Sequence, residues 1–264
     1  MSGTREGELE HRYGSAVRIL DNPVIASALA RIGSPEVSRV ELYAHLRLVY
    51  TTLAVNAFGR LLPTVDSATP TRMAEFEPEA GVVRYRGLDP ESEVVIVDVI
   101  RGGIVPAQCC FELLEPLLPD RVRIDHLNLA RTADASGRVT GVDLTGSKIG
   151  GRVDGATLVL PDPMGATGST VLRALEHYLE SWGRPARVIV LTMIATPEFL
   201  RRALDIDGVD LEVVTARLDR GLSPPDVLEL VPGEAWDRER GLDDRSYIVP
   251  GAGGVGEVLN NSWC

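Results

Sequence analysis

The stretch LVLPDPMGATGST, residues 158–170, combines residue types that suit a phosphorylated sugar. An apolar run ends at one carboxylate, Asp162, and small and hydroxyl-bearing residues follow it. Small residues ahead of a helix let backbone N–H groups approach an anion, and the helix N-terminus adds partial positive charge. We therefore predict that Thr167, Gly168, Ser169 and Thr170 bind a phosphate monoester. Asp162 is predicted to accept hydrogen bonds from sugar hydroxyls or to act through a metal-bound water.

Two common phosphate-binding motifs are absent from this stretch. It lacks the Gly-Lys-Ser/Thr of nucleoside-triphosphate loops and the G-x-G-x-x-G of dinucleotide-binding proteins. From spacing alone, an ordinary tight turn between a strand and a helix remains the alternative.

Other residues capable of chemistry are scattered. Cysteine occurs only at 109, 110 and 264, an odd count without the spacing of zinc ligands, so neither a disulfide framework nor a zinc site is expected. The four histidines, at 11, 45, 126 and 177, form no Ser/His/Asp arrangement, and we expect each to be structural or exposed. Lys148 is the only lysine in a chain that otherwise uses arginine.

The elements that position these residues alternate along the second part of the chain. EVVIVDVI, ATLVLPD, ARVIVLTMIA and DLEVVTARL are strand-length apolar runs, and helical patterns such as STVLRALEHYLESWG lie between them. Near-solid Val/Ile/Leu strands indicate a mostly parallel sheet buried on both faces. Ligands of such sheets bind past the carboxyl ends of the strands, which is where residues 162–170 fall.

The N-terminal part is predicted to be helical. Residues 21–33 and 34–63 show helical patterns, with Ser34 as the N-cap of the second helix and Pro35 in its first position. Residues 64–92 are rich in turn residues and are interpreted as a linking excursion.

Composition limits the class of protein. The 264 residues are 44% hydrophobic with a net charge of −11, so we expect one globular domain that binds neither nucleic acid nor an anionic membrane. The sequence contains neither a signal-peptide pattern nor an apolar run of membrane-spanning length, and a cytoplasmic protein is expected.

Several motifs, in order along the chain, resemble one enzyme family. DPMGATGST is similar to the D-P-M-L-A-T-G-G-S loop of uracil phosphoribosyltransferases, which holds 5-phosphoribosyl 1-diphosphate (PRPP). SYIVPGAGGVGEVL resembles the family's G-Y-I-V-P-G-L-G-D-A-G-D-R segment, and VIRGG, LTMIATPEF and NPVIASALARIG give weaker matches. The resemblance covers nearly the whole chain, from Asn22 to Leu259.

The resemblance implies a type I phosphoribosyltransferase-like α/β fold, a doubly wound, mostly parallel sheet with helices on both faces. We expect one domain over 1–264, with an N-terminal helical arm at 1–65 and a core with the base-binding segment at 90–264. By position, Asp162 meets the ribose, and Ala166 to Thr170 (Ala166, Thr167, Gly168, Ser169, Thr170) meet the 5′-phosphate. Arg101 contacts the diphosphate. Arg131, in a segment before a flexible hood, and Lys148, in the hood, are expected to add PRPP contacts. Arg101 and Asp162 are the expected catalytic residues.

The resemblance also implies how a base is read. Backbone groups of Tyr247, Ile248 and Gly253 are expected to bind it, with Ala195 and Thr196 on the opposite side.

This chain departs from the family at four places. A family Asp is replaced by Gly254, and Glu257 lies three positions on. Asp98 stands where the family has Pro, and it either recruits a metal or caps a turn. Residues 223–240 form an insertion before the base-binding segment. If the missing carboxylate is a defect, Gly254→Asp is predicted to raise turnover of uracil.

The expected reaction transfers the phosphoribosyl group of PRPP to uracil, giving UMP and diphosphate, with Mg²⁺ as cofactor and unassigned metal ligands. Two alternatives remain open: a related transferase acting on another acceptor in specialised metabolism, and a PRPP- or nucleotide-binding regulatory protein with little catalysis. The expected partners are the small-molecule substrates and further copies of the chain in a homodimer or larger homo-oligomer.

Overall fold

The described residues form eleven strands and seven α-helices. The computed structural model describes the backbone of residues 7–133 and 139–262 and the side chains of 7–130 and 141–262. The strands are β1 (Val17–Ile19), β2 (Thr64–Pro70), β3 (Val82–Leu88), β4 (Val94–Ile100), β5 (Val122–Ala133), β6 (Val139–Lys148), β7 (Thr157–Pro161), β8 (Met164–Gly165), β9 (Arg187–Thr192), β10 (Ile194–Ala195) and β11 (Leu211–Thr215). The helices are α1 (Pro23–Ile32), α2 (Arg39–Leu61), α3 (Ile104–Leu114), α4 (Ser169–Ser181), α5 (Pro197–Leu204), α6 (Pro225–Leu228) and α7 (Val255–Asn260).

A seven-stranded sheet with the order β1-β11-β9-β7-β4-β5-β6 forms the centre of the molecule. Its strands pair in parallel except for β6, which runs antiparallel to β5. This is the doubly wound, mostly parallel α/β sheet that the apolar runs predicted. The carboxyl ends of β4 and β7 therefore meet at one edge, and the loops that follow them lie side by side.

Each face of the sheet carries its own apolar core. Val94 and Ile96 of β4 face a core with α1, α2 and α3, whereas Val95 and Val97 face a core with α4 and α5. The alternation follows from the two-residue period of a strand, and it explains why these strands are apolar at every position.

The start of the long N-terminal helix differs from the prediction. Helix α2 begins at Arg39, not at Ser34, and Ser38 is its N-cap in a capping box with Glu41. The Ser34 hydroxyl instead accepts from the Glu36 amide in the preceding turn. A Ser with Glu three residues later satisfies two free amides, which outweighs the preference for Pro at the first helical position.

The excursion predicted for residues 64–92 contains regular structure. Strands β2 and β3 pair antiparallel in register from Thr64↔Leu88 to Pro70↔Val82, and a 3₁₀ helix at Arg72–Glu75 follows β2. The hairpin side chains are mostly exposed, so the strands lack the apolar period by which a buried strand is recognised. No helix in the described part of the chain is both long and apolar enough to cross a membrane.

Candidate active site

The loop after β7, residues 162–168, is here called the phosphate loop. Within it, β8 pairs in parallel with β10, and the Gly165 N–H donates to Thr192 Oγ1 at 3.0 Å. The loop ends at Gly168, whose φ of 77° lies in the left-handed region that favours glycine, and α4 begins at the next residue. A rigid turn thus delivers the chain into the N-terminus of a 13-residue helix.

Backbone amides at this turn are available to a ligand. The N–H groups of Thr167, Gly168 and Thr170 have no hydrogen-bond partner among the described residues, whereas the Ser169 N–H donates to Thr167 Oγ1 at 3.3 Å. The Ala166 N–H donates to Met164 O at 2.9 Å, so this amide is used within the loop. Three unpartnered amides at a helix N-terminus suit an anion such as a phosphate monoester.

An arginine from another helix lies at the same turn. Arg202 of α5 donates through Nη1 to Ser169 Oγ at 3.1 Å, and a Cβ on Gly168 would lie 3.3 Å from Arg202 Cβ. Together with Arg173, it lines a cleft of about 270 Å³ between the phosphate loop and residues 141–142 of β6. Arg202 was not predicted from the sequence, because α5 follows α4 two strands later and only the fold brings it to this turn.

Residues 101–103, here called the diphosphate loop, follow β4. A Cβ on Gly103 would lie 2.7 Å from Val99 N and 2.8 Å from Val99 O, so only glycine fits this turn. A Cβ on Gly102 would lie 3.4 Å from Pro163 of the phosphate loop, and one on Gly256 would lie 3.8 Å from the Gly102 Cα. The diphosphate loop, the phosphate loop and helix α7 each carry part of one sequence motif. The three therefore meet, although they lie far apart along the chain.

Arg101 begins the diphosphate loop after a cis peptide bond to Ile100. Its Nη1 donates to Ser262 Oγ at 2.7 Å, which places the segment after α7 beside this loop. Asp162 lies half-buried at the end of β7, and its Oδ1 accepts from the Met164 N–H at 3.2 Å. Both predicted catalytic residues thus occupy adjacent strand ends.

The β5–β6 hairpin is the predicted hood. Lys148 is exposed at the end of β6 and lies opposite His126 of β5 in the register. The backbone of Arg131 pairs with Val142, but the Arg131 side chain lies outside the described residues.

Residues 247–254, here called the base segment, present backbone groups. Leu242 and Ile248 form an antiparallel bridge in which neither the N–H nor the C=O of Ile248 has a hydrogen-bond partner among the described residues. The Gly253 N–H is likewise unpartnered in that part of the chain, and a Cβ on Gly253 would meet open space. The Tyr247 side chain is 56% exposed. A planar heterocycle with N–H and C=O groups can be recognised by such a set.

Ala195 and Thr196 lie behind the phosphate loop. Both are fully buried. Thr196 Oγ1 donates to Ala166 O at 2.7 Å, and the Ala195 backbone bonds Arg217 and Asp219. These hydrogen bonds join the phosphate loop to Thr196, and they join Ala195 to Arg217 and Asp219.

An ion pair between the partly exposed Arg217 and the buried Asp219 orients the base segment. Arg217 donates bidentately to Asp219 at 2.6 and 2.7 Å, and Arg217 Nη2 also donates to Gly251 O at 2.8 Å. Asp219 Oδ2 in turn accepts from the Gly251 N–H at 2.7 Å. Both polar groups of one glycine are therefore fixed by a planar, charge-assisted arrangement that sequence reasoning did not find.

Glu257 lies where a side chain on Gly254 would be. A Cβ on Gly254 would come 3.0 Å from Glu257 Cδ and closer still to its Oε2. This carboxylate is half-buried and makes no hydrogen bond or ion pair with a described residue. Helix α7 turns this carboxylate back towards residue 254. Although Glu257 lies three residues later in the sequence, its carboxylate therefore lies beside residue 254.

In the described part of the chain, Asp98 accepts no hydrogen bond from a backbone N–H, so it does not cap a turn there. Its Oδ2 accepts from or shares a proton with His126 Nδ1 at 2.8 Å, and burial raises the pKa of this carboxyl while the His126 interaction opposes that shift. Among the described residues, no group of three or more His, Cys, Asp or Glu side chains is placed to hold a metal ion.

Comparison with known proteins decides the family. The family model described as uracil phosphoribosyltransferase matches residues 19–238. The chain belongs to the uracil phosphoribosyltransferase family. It is thus a phosphoribosyltransferase.

Individual relatives of this phosphoribosyltransferase are distant. It is similar to proteins named uracil phosphoribosyltransferase from Pyrococcus furiosus (23% identical over 94% of this chain and 90% of the relative), Synechocystis sp. (29% over 74% of each) and Thermococcus gammatolerans (26% over 69% of each). Among solved structures, the AQ2163 protein from Aquifex aeolicus matches with a TM-score of 0.69 at 23% identity, covering 92% of this chain and 97% of that one. The adenine phosphoribosyl transferase of Trypanosoma brucei matches with a TM-score of 0.50 at 12% identity, over 80% and 87% of the two chains. These structural likenesses support the fold.

Proposed function

We propose that this phosphoribosyltransferase transfers the 5-phosphoribosyl group of PRPP to uracil, giving UMP and diphosphate. The observation that carries the proposal is the turn at Thr167–Thr170, where amides without a partner among the described residues end a loop that begins with Asp162. In this proposal the neighbouring diphosphate loop receives the other end of PRPP.

The substrate sugar is held by the phosphate loop in this proposal. The 5′-phosphate accepts hydrogen bonds from the Thr167, Gly168 and Thr170 amides, with Ala166 and Ser169 shaping the same turn. Asp162 accepts from the ribose hydroxyls. Holding the sugar in one orientation is itself a large part of catalysis, because it removes the freedom of one reactant.

The leaving diphosphate is stabilised by positive charge. Arg101 is the proposed contact at the diphosphate loop, and Lys148 and Arg131 are the further proposed contacts. As the bond from C1 to the diphosphate oxygen breaks, the sugar gains oxocarbenium character and the leaving group gains negative charge. Cationic groups already in place stabilise that charge without reorganisation.

The residues present fit a magnesium ion that is bound mainly by the substrate. Mg²⁺ prefers oxygen ligands and keeps several waters, so one or two carboxylates suffice beside phosphate oxygens. Glu257 is a half-buried carboxylate in the first turn of α7, next to the residue that packs on the diphosphate loop, and it has no hydrogen-bond partner among the described residues. We propose Glu257 and Asp162 as the residues that would hold the ion. When bound, Mg²⁺ neutralises charge on the diphosphate.

The base is proposed to be read by the backbone. Uracil carries two C=O and two N–H groups, and the Ile248 N–H and C=O and the Gly253 N–H are groups that can pair with them, beside Tyr247. The Arg217–Asp219 pair positions this segment through Gly251. Because the N1 proton of uracil is fairly acidic, the site needs no strong general base.

A transferase with another acceptor is the second candidate. The altered GAGGVGE sequence of the base segment favours it, since Gly254 removes a family side chain from the base site. The position of Glu257 favours uracil, because it returns a carboxylate to the space beside residue 254.

The test is to incubate the protein with PRPP, Mg²⁺ and single bases from a panel, and to follow diphosphate release and nucleotide formation. Release with uracil supports the proposal, whereas release only with another heterocycle supports the second candidate. Asp162→Asn is the matched variant, and it should lose most activity while its melting temperature stays near that of the parent protein. PRPP binding without release for any base would overturn the proposal.

A further inference from the structure

A carboxylate–imidazole pair lies beside the diphosphate loop and has no part in the mechanism above. Asp98 is the fifth residue of β4 and is 3% exposed, and His126 lies opposite it in the parallel register with β5. His126 Nδ1 is 2.8 Å from Asp98 Oδ2, and the imidazole is 48% exposed. The buried carboxylate therefore fixes the orientation of a ring whose other edge faces outward.

The pair is adjacent to the groups proposed for the leaving group. A Cβ on Gly103 of the diphosphate loop would lie 3.1 Å from Asp98 Oδ1, so this loop folds back over Asp98. On the other side, Lys148 lies opposite His126 in the β5–β6 register. Because side chains opposite each other in a sheet project from the same face, Asp98, His126 and Lys148 form one row that starts beneath the diphosphate loop.

A purely structural role does not explain this pair. Asp98 Oδ1 is buried and has no hydrogen-bond partner among the described residues. Burying a carboxylate with one unsatisfied oxygen is unfavourable, and an apolar pair of similar volume is commonly at least as stable. The half-exposed imidazole also has no second partner in the described part of the chain, so its Nε2 is available to a ligand.

The ligand with matching chemistry is the anionic diphosphate group that is proposed above to bind at this loop. Because Nδ1 is bonded to a buried carboxylate, Nε2 is the ring nitrogen left to face a ligand, and as an N–H group it donates to an anionic oxygen. The neighbouring Lys148 is a cation on the same row, and among the described residues it makes no ion pair of its own. One imidazole N–H and one ammonium group suit a phosphoryl group that carries more than one negative charge.

We propose that His126 is a diphosphate-binding residue, which donates from Nε2 to the terminal phosphate of the PRPP diphosphate group and of the product diphosphate. Asp98 is its positioning residue, and Lys148 flanks the same phosphate. The inference rests on the proposed phosphoribosyl transfer and adds a residue to the leaving-group side of that site.

The experiment is calorimetric titration of the full chain with inorganic diphosphate and, separately, with UMP, each in the presence of Mg²⁺. UMP carries the 5′-phosphate and base but no diphosphate, so it reports on the phosphate loop and base segment alone. For His126→Ala we expect the Kd for diphosphate to rise roughly 10-fold or more, as for the loss of one hydrogen bond to a charged group, with an unchanged Kd for UMP. Asp98→Asn still accepts a hydrogen bond from Nδ1 but loses the charge, and it should shift the diphosphate Kd in the same direction by a smaller factor.

The matched control is His177→Gln, a histidine substitution on α4, which packs on the opposite face of the sheet. It should leave both Kd values at those of the parent protein. If His126→Ala binds diphosphate as the parent protein does, or if diphosphate and UMP affinities fall together, the inference is overturned while phosphoribosyl transfer stands. If the parent protein binds neither ligand, both proposals are overturned.

Discussion

At the scale of single residues, Glu257 changes the interpretation of Gly254. The sequence predicted that the absence of the family Asp weakens the site and that Gly254→Asp raises uracil turnover. In the structure, the Glu257 carboxylate occupies the space beside residue 254. Because a second carboxylate there would meet like charge, we now expect no gain from Gly254→Asp alone.

We expect Glu257→Gln to lower kcat/KM with uracil roughly 10- to 100-fold, as for the loss of one charged contact. Gly254→Asp alone should not raise it. The double variant Gly254→Asp/Glu257→Gln should recover most of the loss, because it returns one carboxylate to the same space. Steady-state kinetics of the three variants checks this. If the losses in kcat/KM of the two single variants add in the double variant, a carboxylate at position 254 does not replace that of Glu257, and the interpretation is contradicted.

Arg202 is the residue that the fold adds to the phosphate loop. Arg202→Ala removes a cation beside the proposed 5′-phosphate, so we expect the Kd for UMP to rise about 10-fold and the Kd for diphosphate to stay constant. Arg201→Ala is the matched control, because Arg201 turns away to donate to Trp236 O at 2.6 Å. Equal effects of the two substitutions on UMP binding would show that Arg202 acts only through the stability of α5.

At the scale of elements, the strands and turns that bring the motifs together were only partly predictable. The apolar runs of β4, β7, β9 and β11 identified the sheet, and the small residues at 165–168 identified the turn into α4. Strand β6 and the β2–β3 hairpin are mostly exposed and polar, so they lack the period on which such predictions depend. The contacts of Arg202, His126 and Arg217 depend on which strands are neighbours, and a single sequence does not show that.

The tight turn of the diphosphate loop gives a test at this scale. We expect Gly103→Ala to abolish most activity and lower the melting temperature by several degrees, because its Cβ would collide with the Val99 backbone and the strand end must shift. Gly102→Ala is the control for folding, since its Cβ would make an ordinary contact with the Pro163 side chain. Differential scanning fluorimetry compares the two, and equal melting temperatures would contradict the tight turn.

At the scale of the whole molecule, the insertion before the base segment joins distant parts of the chain. Glu239 is fully buried, and its Oε1 accepts from Arg220 Nη1 and from the Gly233 N–H, both at 2.8 Å. Its Oε2 accepts from the hydroxyl of Tyr13 near the N-terminus. The insertion therefore ties the N-terminal region to the segment that leads into the base site.

We expect Glu239→Ala to lower the free energy of unfolding by about 3 kcal/mol, since it leaves Arg220 with an uncompensated, mostly buried charge. Urea unfolding followed by circular dichroism measures the change. Glu234→Ala is the matched control within the same insertion, because Glu234 is exposed, and it should stay within about 0.5 kcal/mol of the parent protein. A Glu239→Ala midpoint equal to that of Glu234→Ala would contradict the role of this network.

Some whole-molecule expectations from the sequence stay predictions. A single domain over residues 1–264, a homodimer or larger homo-oligomer, and a cytoplasmic location are among them. Light scattering of the purified chain checks the oligomeric state directly.

The account as a whole depends on a sugar phosphate binding at the N-terminus of α4. Its most direct test is a crystal structure of the protein soaked with PRPP and Mg²⁺. We predict that the oxygens of the 5′-phosphate lie about 3 Å from the amide nitrogens of Thr167, Gly168 and Thr170, with the ribose hydroxyls at Asp162. An ordered PRPP bound elsewhere, or a phosphate loop left empty at saturating PRPP, would contradict the account.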